Sequence, residues 1–187
     1  MKRIAIFASG NGSNAENIIK FFLQSENISV ELVLTNNANA KVIERAAKLD
    51  IPVVVFNRSD FYGDEIVLES LIEHKIDLVV LAGFMWLVPS YLIQNYPLNI
   101  INIHPALLPK YGGKGMYGDY VHQAVSEARE KESGITVHYV NEKYDDGDII
   151  FQKSIEIEEG EDPDSIAQKI HTLEYEYFPK VIKDLLA

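Results

Sequence analysis

The sequence predicts an α/β protein: a Rossmann-like, mostly parallel sheet flanked by helices, with an antiparallel extension in its C-terminal part. Three observations carry this. Short apolar runs alternate with helical patterns through the first hundred residues, as in successive βαβ units. A glycine-rich turn, Ser9-Gly10-Asn11-Gly12-Ser13-Asn14, follows the first apolar run directly. Two strand-like segments then succeed one another late in the chain with only an acidic turn between them.

Taken in order, Ile4–Ala8 reads as a short buried strand. Asn14–Gln24 is a helix whose buried side is expected to carry Ile18, Ile19, Phe21, Phe22 and Leu23. Val30–Thr35 is the second strand, and Lys41–Leu49 a helix with Val42, Ala46 and Leu49 in register. Pro52 opens a third strand, Val53–Phe56; Glu65–His74 is helical; Asp77–Ala82 is the clearest buried strand. Ile100–Ile103 is another and ends at His104. Leu107–Gly118 holds Pro109 and four glycines, a loop signal. Tyr120–Lys131 reads as a helix, Ile135–Val140 and Ile149–Ile157 as strands joined by the turn Asn141–Asp148. Asp162-Pro163-Asp164-Ser165 opens a last helix, along which Ile166, Ile170, Leu173, Tyr177, Val181 and Leu185 recur every three or four residues. There is no internal repeat and no linker. Residues 1–187 therefore form one domain, with an N-terminal half to about residue 100 and a C-terminal half from about 101.

Composition narrows the function. The chain has no cysteine, which excludes a thiolate metal site and a cysteine nucleophile. The formal net charge of −11 opposes a nucleic-acid partner, which requires a basic face. No apolar run approaches membrane-spanning length, and the short apolar start breaks into glycines too soon for a signal peptide, so a cytoplasmic location is expected. An anionic small substrate would need a local positive site, such as the free N–H groups at a helix N-terminus.

The turn Gly10–Asn14 offers that site. Glycine lets the backbone approach an anion, and Ser13 and Asn14 add side-chain donors. Gly10-x-Gly12-x-x-Ala15 also fits a dinucleotide fingerprint, but Thr35-Asn36-Asn37 stands where an acidic ribose partner belongs, which weakens a nicotinamide reading. Asn102 and His104 lie two apart in a strand and so share a side at its carboxyl end. An amide donor beside a protonated imidazole as second donor suits an oxyanion forming on a carbonyl carbon, and the imidazole can also move a proton. Tyr144-Asp145-Asp146-Gly147-Asp148 reads alone as a solvated turn; its functional reading is a carboxylate that reaches His104, orients it and raises its pKa. Gly83-Phe84-Met85-Trp86-Leu87, after a buried strand, could line a slot for a flat ring. Glu174 sits at the edge of the last helix's apolar stripe, either solvated or reaching into a cleft to hold an amine. No spacing suggests a metal.

Together, Gly-Asn-Gly-Ser-Asn at 10–14, Leu81-Ala82-Gly83-Phe84-Met85, Asn102-Ile103-His104-Pro105-Ala106-Leu107-Leu108-Pro109 and Asp145 resemble the folate-dependent formyltransferases, in particular the phosphoribosylglycinamide formyltransferase family, over residues 3 to 182. The Asn-x-His-Pro-x-Leu-Leu-Pro string is shared across folate formyltransferases and formyl hydrolases; the glycine turn is the more selective one. The resemblance implies formyl transfer from 10-formyltetrahydrofolate, as co-substrate, to the amine of glycinamide ribonucleotide in purine biosynthesis. It implies Asn102, His104 and Asp145 as catalytic residues and Gly12, Ser13 and Asn14 on the substrate phosphate. It further implies Met85, Trp86, Leu87, Val88, Asn102 and Tyr144 around the folate, Glu174 on the amine side, no metal, and a monomer or homodimer. Two positions depart from the family pattern at folate contacts: Asp64 and Trp86 stand where arginine is common. A formyl-folate hydrolase, a methionyl-tRNA formyltransferase and a non-catalytic nucleotide-binding protein are the competing expectations. The short length and negative charge oppose the second, and the third leaves Asn102 and His104 without a reason.

Overall fold

A computed structural model describes all 187 residues. The elements run β1 Lys2–Phe7, α1 Ser13–Phe22, β2 Ile28–Thr35, α2 Val42–Ala47, β3 Val53–Val55, α3 Arg58–Tyr62, α4 Ile66–Glu73, β4 Leu78–Leu81, α5 Ser90–Asn95, β5 Ile100–His104, α6 Asp119–Glu127, β6 Glu132–Tyr139, β7 Ile149–Glu156 and α7 Pro163–Leu185. One sheet has the order β3-β2-β1-β4-β5-β6-β7. Pairing is parallel from β3 through β5 and antiparallel from β5 to β6 and β6 to β7. The parallel sheet and its antiparallel extension are as the sequence predicts.

Two short helices, α3 and α5, are absent from the sequence reading. Each is about a turn and a half long, too short for an amphipathic period to declare itself. The α3 start does carry a local signature: the Asn57 side chain accepts from the Ser59 and Asp60 N–H groups, and Asp60 accepts from the Asn57 N–H, a capping box. Helix α6 ends at Glu127, short of the expected Lys131, where Arg129 turns left-handed with φ +50°.

Strand alternation divides the core in two. Ile4, Ile6 and Ala8 face a large apolar layer under α1, α2, α6 and α7, while Ala5 and Phe7 face a second layer built with α3, α4 and α5. Helix α7 closes the first layer. Asp162 caps it through the Asp164 and Ser165 N–H groups, with Pro163 in its first turn. Pro179 lies inside this helix and has no N–H for the Tyr175 carbonyl; the Asn17 amide of α1 donates to that carbonyl at 2.9 Å instead. The helix interruption thus becomes an α1–α7 link. No helix is long and apolar enough to cross a membrane.

The order matters for function. From β1 the chain winds outward through β2 and β3, then crosses to β4 on the other side of β1. Such a switch point opens a crevice at the carboxyl ends of the two central strands. The segments after β1 and β4, and the end of β5, all meet there.

Candidate active site

A cavity of about 610 Å³ occupies the crevice, in the range of small-molecule sites. It is walled by the turn after β1, the segment after β4, the end of β5, the glycine loop 113–118, the turn before β7 and one face of α7.

The β1–α1 turn is shaped by Gly12. It has φ +73°, and a Cβ there would stand 2.4 Å from the Val42 side chain, so both conformation and space require glycine. Gly12 occupies the N-cap and offers no side chain, so nothing caps α1. The first-turn N–H groups are left without an intrahelical partner at the cavity wall, the arrangement an anion completes. Ser13 and Asn14 open the helix as expected. The Asn14 amide, however, donates to Glu174 Oε2 at 2.8 Å, and its Oδ1 is buried with no partner.

Glu174 is buried, which settles the choice left by the sequence: it reaches into the cleft. Its Oε2 also accepts from His171 Nδ1 at 3.0 Å. That hydrogen bond raises the His171 pKa against the opposing effect of burial. His122 lies beside it, ring centroids 6.4 Å apart, with Nδ1 buried and unpartnered. Burial and the neighbouring His171 push the His122 pKa down. The sequence reading missed both histidines. His171 was findable as the residue one helical turn before Glu174; His122 carries no such signal.

On the floor of the cavity, Asn102 and His104 do share one side of β5. Antiparallel pairing sets Asn102 opposite His138 and His104 opposite Thr136. His138 is the fourth polar member of the cluster and was also missed, although Thr136 and His138 alternate on a predicted strand. The Asn102 amide lies 3.1 Å from His138 Nε2 and donates to Asp145 Oδ1 at 3.4 Å. His138 Nδ1 donates to the Tyr139 carbonyl at 2.8 Å, which leaves Nε2 as the acceptor in the neutral ring.

Asp145 reaches the cluster because its turn folds back over β5. It adopts φ +54°, and Gly147 packs so closely on the Tyr139 carbonyl that a Cβ would lie 1.8 Å away. Its Oδ2 accepts the Gly113 N–H at 2.9 Å and stands 3.5 Å from His104 Nδ1; its Oδ1 stands 3.6 Å from His138 Nε2. Burial raises the Asp145 pKa, but the His138 and His104 rings and the Gly113 N–H outweigh it, and the carboxyl lies below its ordinary value.

One expectation is corrected. Asp145 does pull the His104 pKa upward, yet burial of the ring is the larger effect, and the imidazole titrates below its ordinary value. The carboxylate favours the charged ring without holding it protonated at neutral pH. Moreover, His104 Nε2 is 2.7 Å from the Tyr111 carbonyl, at the start of the glycine loop. In the neutral ring this nitrogen carries the proton, so Tyr111 competes with any substrate oxygen for it.

The wall after β4 combines two roles. Phe84 packs edge-on against Phe7 and Phe61, and Val88 is buried in the same layer, as core residues do. Met85, Trp86 and Leu87 lie further out, with Met85 about two-fifths exposed. Tyr144 lines the same cavity, and the Tyr62 hydroxyl donates to the Leu87 carbonyl at 2.8 Å. No trio of histidine and carboxylate side chains is grouped to hold a metal ion.

A chain with this sheet order and an Asn-His-Asp cluster around a buried histidine at the switch point has the architecture of a group-transfer enzyme of the α/β class. The family profile described as formyl transferase matches residues 2–182. The phosphoribosylglycinamide formyltransferase of Bacillus subtilis (strain 168) is 43% identical over 192 residues, covering 100% of this chain and 95% of that protein. Among solved structures, glycinamide ribonucleotide transformylase 1 from Geobacillus kaustophilus superposes with a TM-score of 0.91 at 36% identity, over 100% of both chains. Phosphoribosylglycinamide formyltransferase from Bacillus halodurans superposes at 0.88 with 37% identity, covering 100% of this chain and 96% of that one. The chain belongs to the formyl transferase family and, within it, to the phosphoribosylglycinamide formyltransferases.

Proposed function

We propose that this enzyme transfers the formyl group of 10-formyltetrahydrofolate to the amine of glycinamide ribonucleotide, a step of purine biosynthesis, in the cytoplasm and as a monomer or homodimer. The observation that carries the reading is convergence in one cavity. The uncapped N-terminus of α1 suits a phosphate, Glu174 suits an amine, and the Asn102–His104–Asp145 cluster suits acyl transfer. The apolar segment 85–88 and Tyr144, which line the same cavity, suit a flat ring system. Two orphaned buried atoms in the wall, Asn14 Oδ1 and His122 Nδ1, fit a substrate rich in hydrogen-bonding groups.

In this reading Gly12, Ser13 and Asn14 hold the phosphate end through the α1 backbone. Glu174 and Asn14 Oδ1 hold the amine end and keep it pointed at the cluster. Met85, Trp86, Leu87, Val88 and Tyr144 border the folate. The co-substrate supplies a formyl carbon that is electrophilic once its oxygen is stabilised. Asn102 turns one amide hydrogen from Asp145 Oδ1, its longer contact at 3.4 Å, to that oxygen as negative charge gathers on it. His104 donates Nε2–H to the same oxygen after release of the Tyr111 carbonyl; a neutral imidazole serves this purpose and matches the lowered pKa. His104, directly or through water, then moves a proton from the attacking amine toward the departing folate nitrogen. Asp145 positions the ring and balances the charge it carries in passing. No residue forms a covalent bond to the formyl group.

The test uses purified protein with 10-formyl-5,8-dideazafolate and glycinamide ribonucleotide, following absorbance of the deformylated product. Turnover that requires the ribonucleotide supports the reading. Formate release at the same rate without it would identify a hydrolase.

A further inference from the structure

The β1–α1 turn is fastened from behind by α2, which takes hold of two successive peptide units. The Val42 N–H donates to the Gly10 carbonyl at 3.2 Å. One helical turn further on, Arg45 Nε donates to the Asn11 carbonyl at 2.9 Å. The same guanidinium also reaches the Asn11 side chain, with Nη2 donating to Oδ1 at 2.7 Å and Nε lying 3.1 Å from it. Only Nη1 is directed elsewhere, to the Glu16 carboxylate in the first turn of α1.

A trans peptide sets its N–H opposite its carbonyl, and both of these peptides are trans. With the Gly10 and Asn11 carbonyls drawn to α2, the N–H groups of Asn11 and Gly12 point away from it. Asn11 and Gly12 belong to the cavity wall, whereas Val42 and Arg45 do not. The N–H groups of Asn11, Gly12, Ser13 and Asn14 donate to no backbone carbonyl, so consecutive donors are left for one anion.

The two fastenings differ in kind. The Gly10 carbonyl is held by a backbone N–H, which almost any residue at position 42 supplies. The Asn11 carbonyl is held by a side chain alone. Its peptide adjoins Gly12, whose backbone freedom leaves that peptide able to rotate. Rotation would turn the carbonyl, an acceptor, to the side where the phosphate is held. Arg45 opposes this. It also offsets the Glu16 charge, but Lys20 pairs with Glu16 as well, so that task does not depend on Arg45.

We infer that Arg45 is the positioning residue of the phosphate subsite: by gripping Asn11 through both its carbonyl and its amide oxygen, it keeps the Gly12 N–H turned to the substrate phosphate without touching the substrate. The inference rests on the phosphate reading above and adds Asn11 and Arg45 to it.

The intact protein is titrated calorimetrically with glycinamide ribonucleotide and with the ribonucleoside that lacks the phosphate. Wild type is expected to favour the ribonucleotide. Arg45→Gln should weaken ribonucleotide binding about tenfold and leave the ribonucleoside unchanged. In turnover it should raise KM for the ribonucleotide, with kcat and the folate KM near wild type. Arg45→Lys keeps the charge but loses the fork, and should recover little of the loss. In a Glu16→Gln background, Arg45→Gln should still cost about tenfold. Unchanged affinity in Arg45→Gln, equal losses for both ligands, full recovery in Arg45→Lys, or no cost in the Glu16→Gln background overturns the inference and leaves the phosphate reading intact. Wild-type protein that shows no preference between the ligands, or binds neither, overturns the phosphate reading and the inference with it.

Discussion

The cavity has a floor and a rim, built on different principles. The floor is Asn102, His104 and His138 on β5 and β6, with Asp145 folded over them. Its two histidines are buried, and cross-strand pairing sets its geometry: Asn102 faces His138 because the antiparallel register puts them opposite. The rim is the β1–α1 turn, the segment 83–88 and the glycine loop. It is partly exposed and rests on backbone conformation, on Gly12 at φ +73° and on the packed rings of Phe84 and Trp86. Strands place reacting groups precisely, while loops present backbone and aromatic surface to the non-reacting parts of a ligand. Floor substitutions should therefore act on turnover and rim substitutions on affinity.

The largest expected effect is at His104. His104→Ala should lower kcat by about 10²–10⁴-fold with KM for both substrates nearly unchanged. Near-normal turnover would remove the floor from the chemistry altogether. Asn102→Ala should lower kcat by about 10²–10³-fold, the loss of one oxyanion donor; a rise in KM alone would move Asn102 to the rim.

Asp145→Asn tests positioning separately from donation. Asp145 opposes the burial of His104, so its neutralisation should shift the His104 midpoint further down from an already lowered value, read by NMR titration of the imidazole. The sign follows from linkage. With the folded pKa below about 6.5, the unfolded chain binds the proton more readily. Neutral His104 therefore stabilises the fold above that value, and the contribution is lost as pH falls toward the folded midpoint. A wild-type His104 midpoint above 6.5 would falsify this account. For Asp145 itself the folded pKa is lowered, so its stabilisation is complete above about 3.9 and disappears as pH falls through the lowered value.

Smaller effects belong to the rim. Glu174→Gln should weaken the ribonucleotide about tenfold, with kcat changed less, and should lower the His171 midpoint, which Glu174 holds up. An equal change in affinity for both substrates would place Glu174 outside the amine subsite. Gly12→Ala should destabilise the fold by about 1–2 kcal/mol from the left-handed backbone alone. The Val42 contact adds to this, and the ribonucleotide should bind more weakly while folate affinity stays as in wild type. Calorimetric titration of each ligand distinguishes the outcomes.

Legibility in the sequence follows the same division. The parallel strands were visible because each is a short apolar run bounded by turn residues, and α7 because its apolar spacing persists for many turns. The glycine turn was visible because left-handed backbone at a helix start leaves glycine as the fitting residue. Asn102 and His104 showed through strand periodicity. The helices α3 and α5 were too short to show a period. His138 was hidden because a cross-strand neighbour depends on register, which neither strand encodes alone.

By itself, then, the sequence determined the order and kind of the main elements, the anion-ready turn and the Asn–His pair at a strand end. These depend on contacts within one segment, and local spacing records them. Tertiary structure decided what Asp145 does, which nitrogen of His104 is occupied, and that Glu174 is buried. It also reversed the expected shift of His104, because desolvation is a property of everything packed around the ring, while the Asp145 pairing is only one neighbour among them.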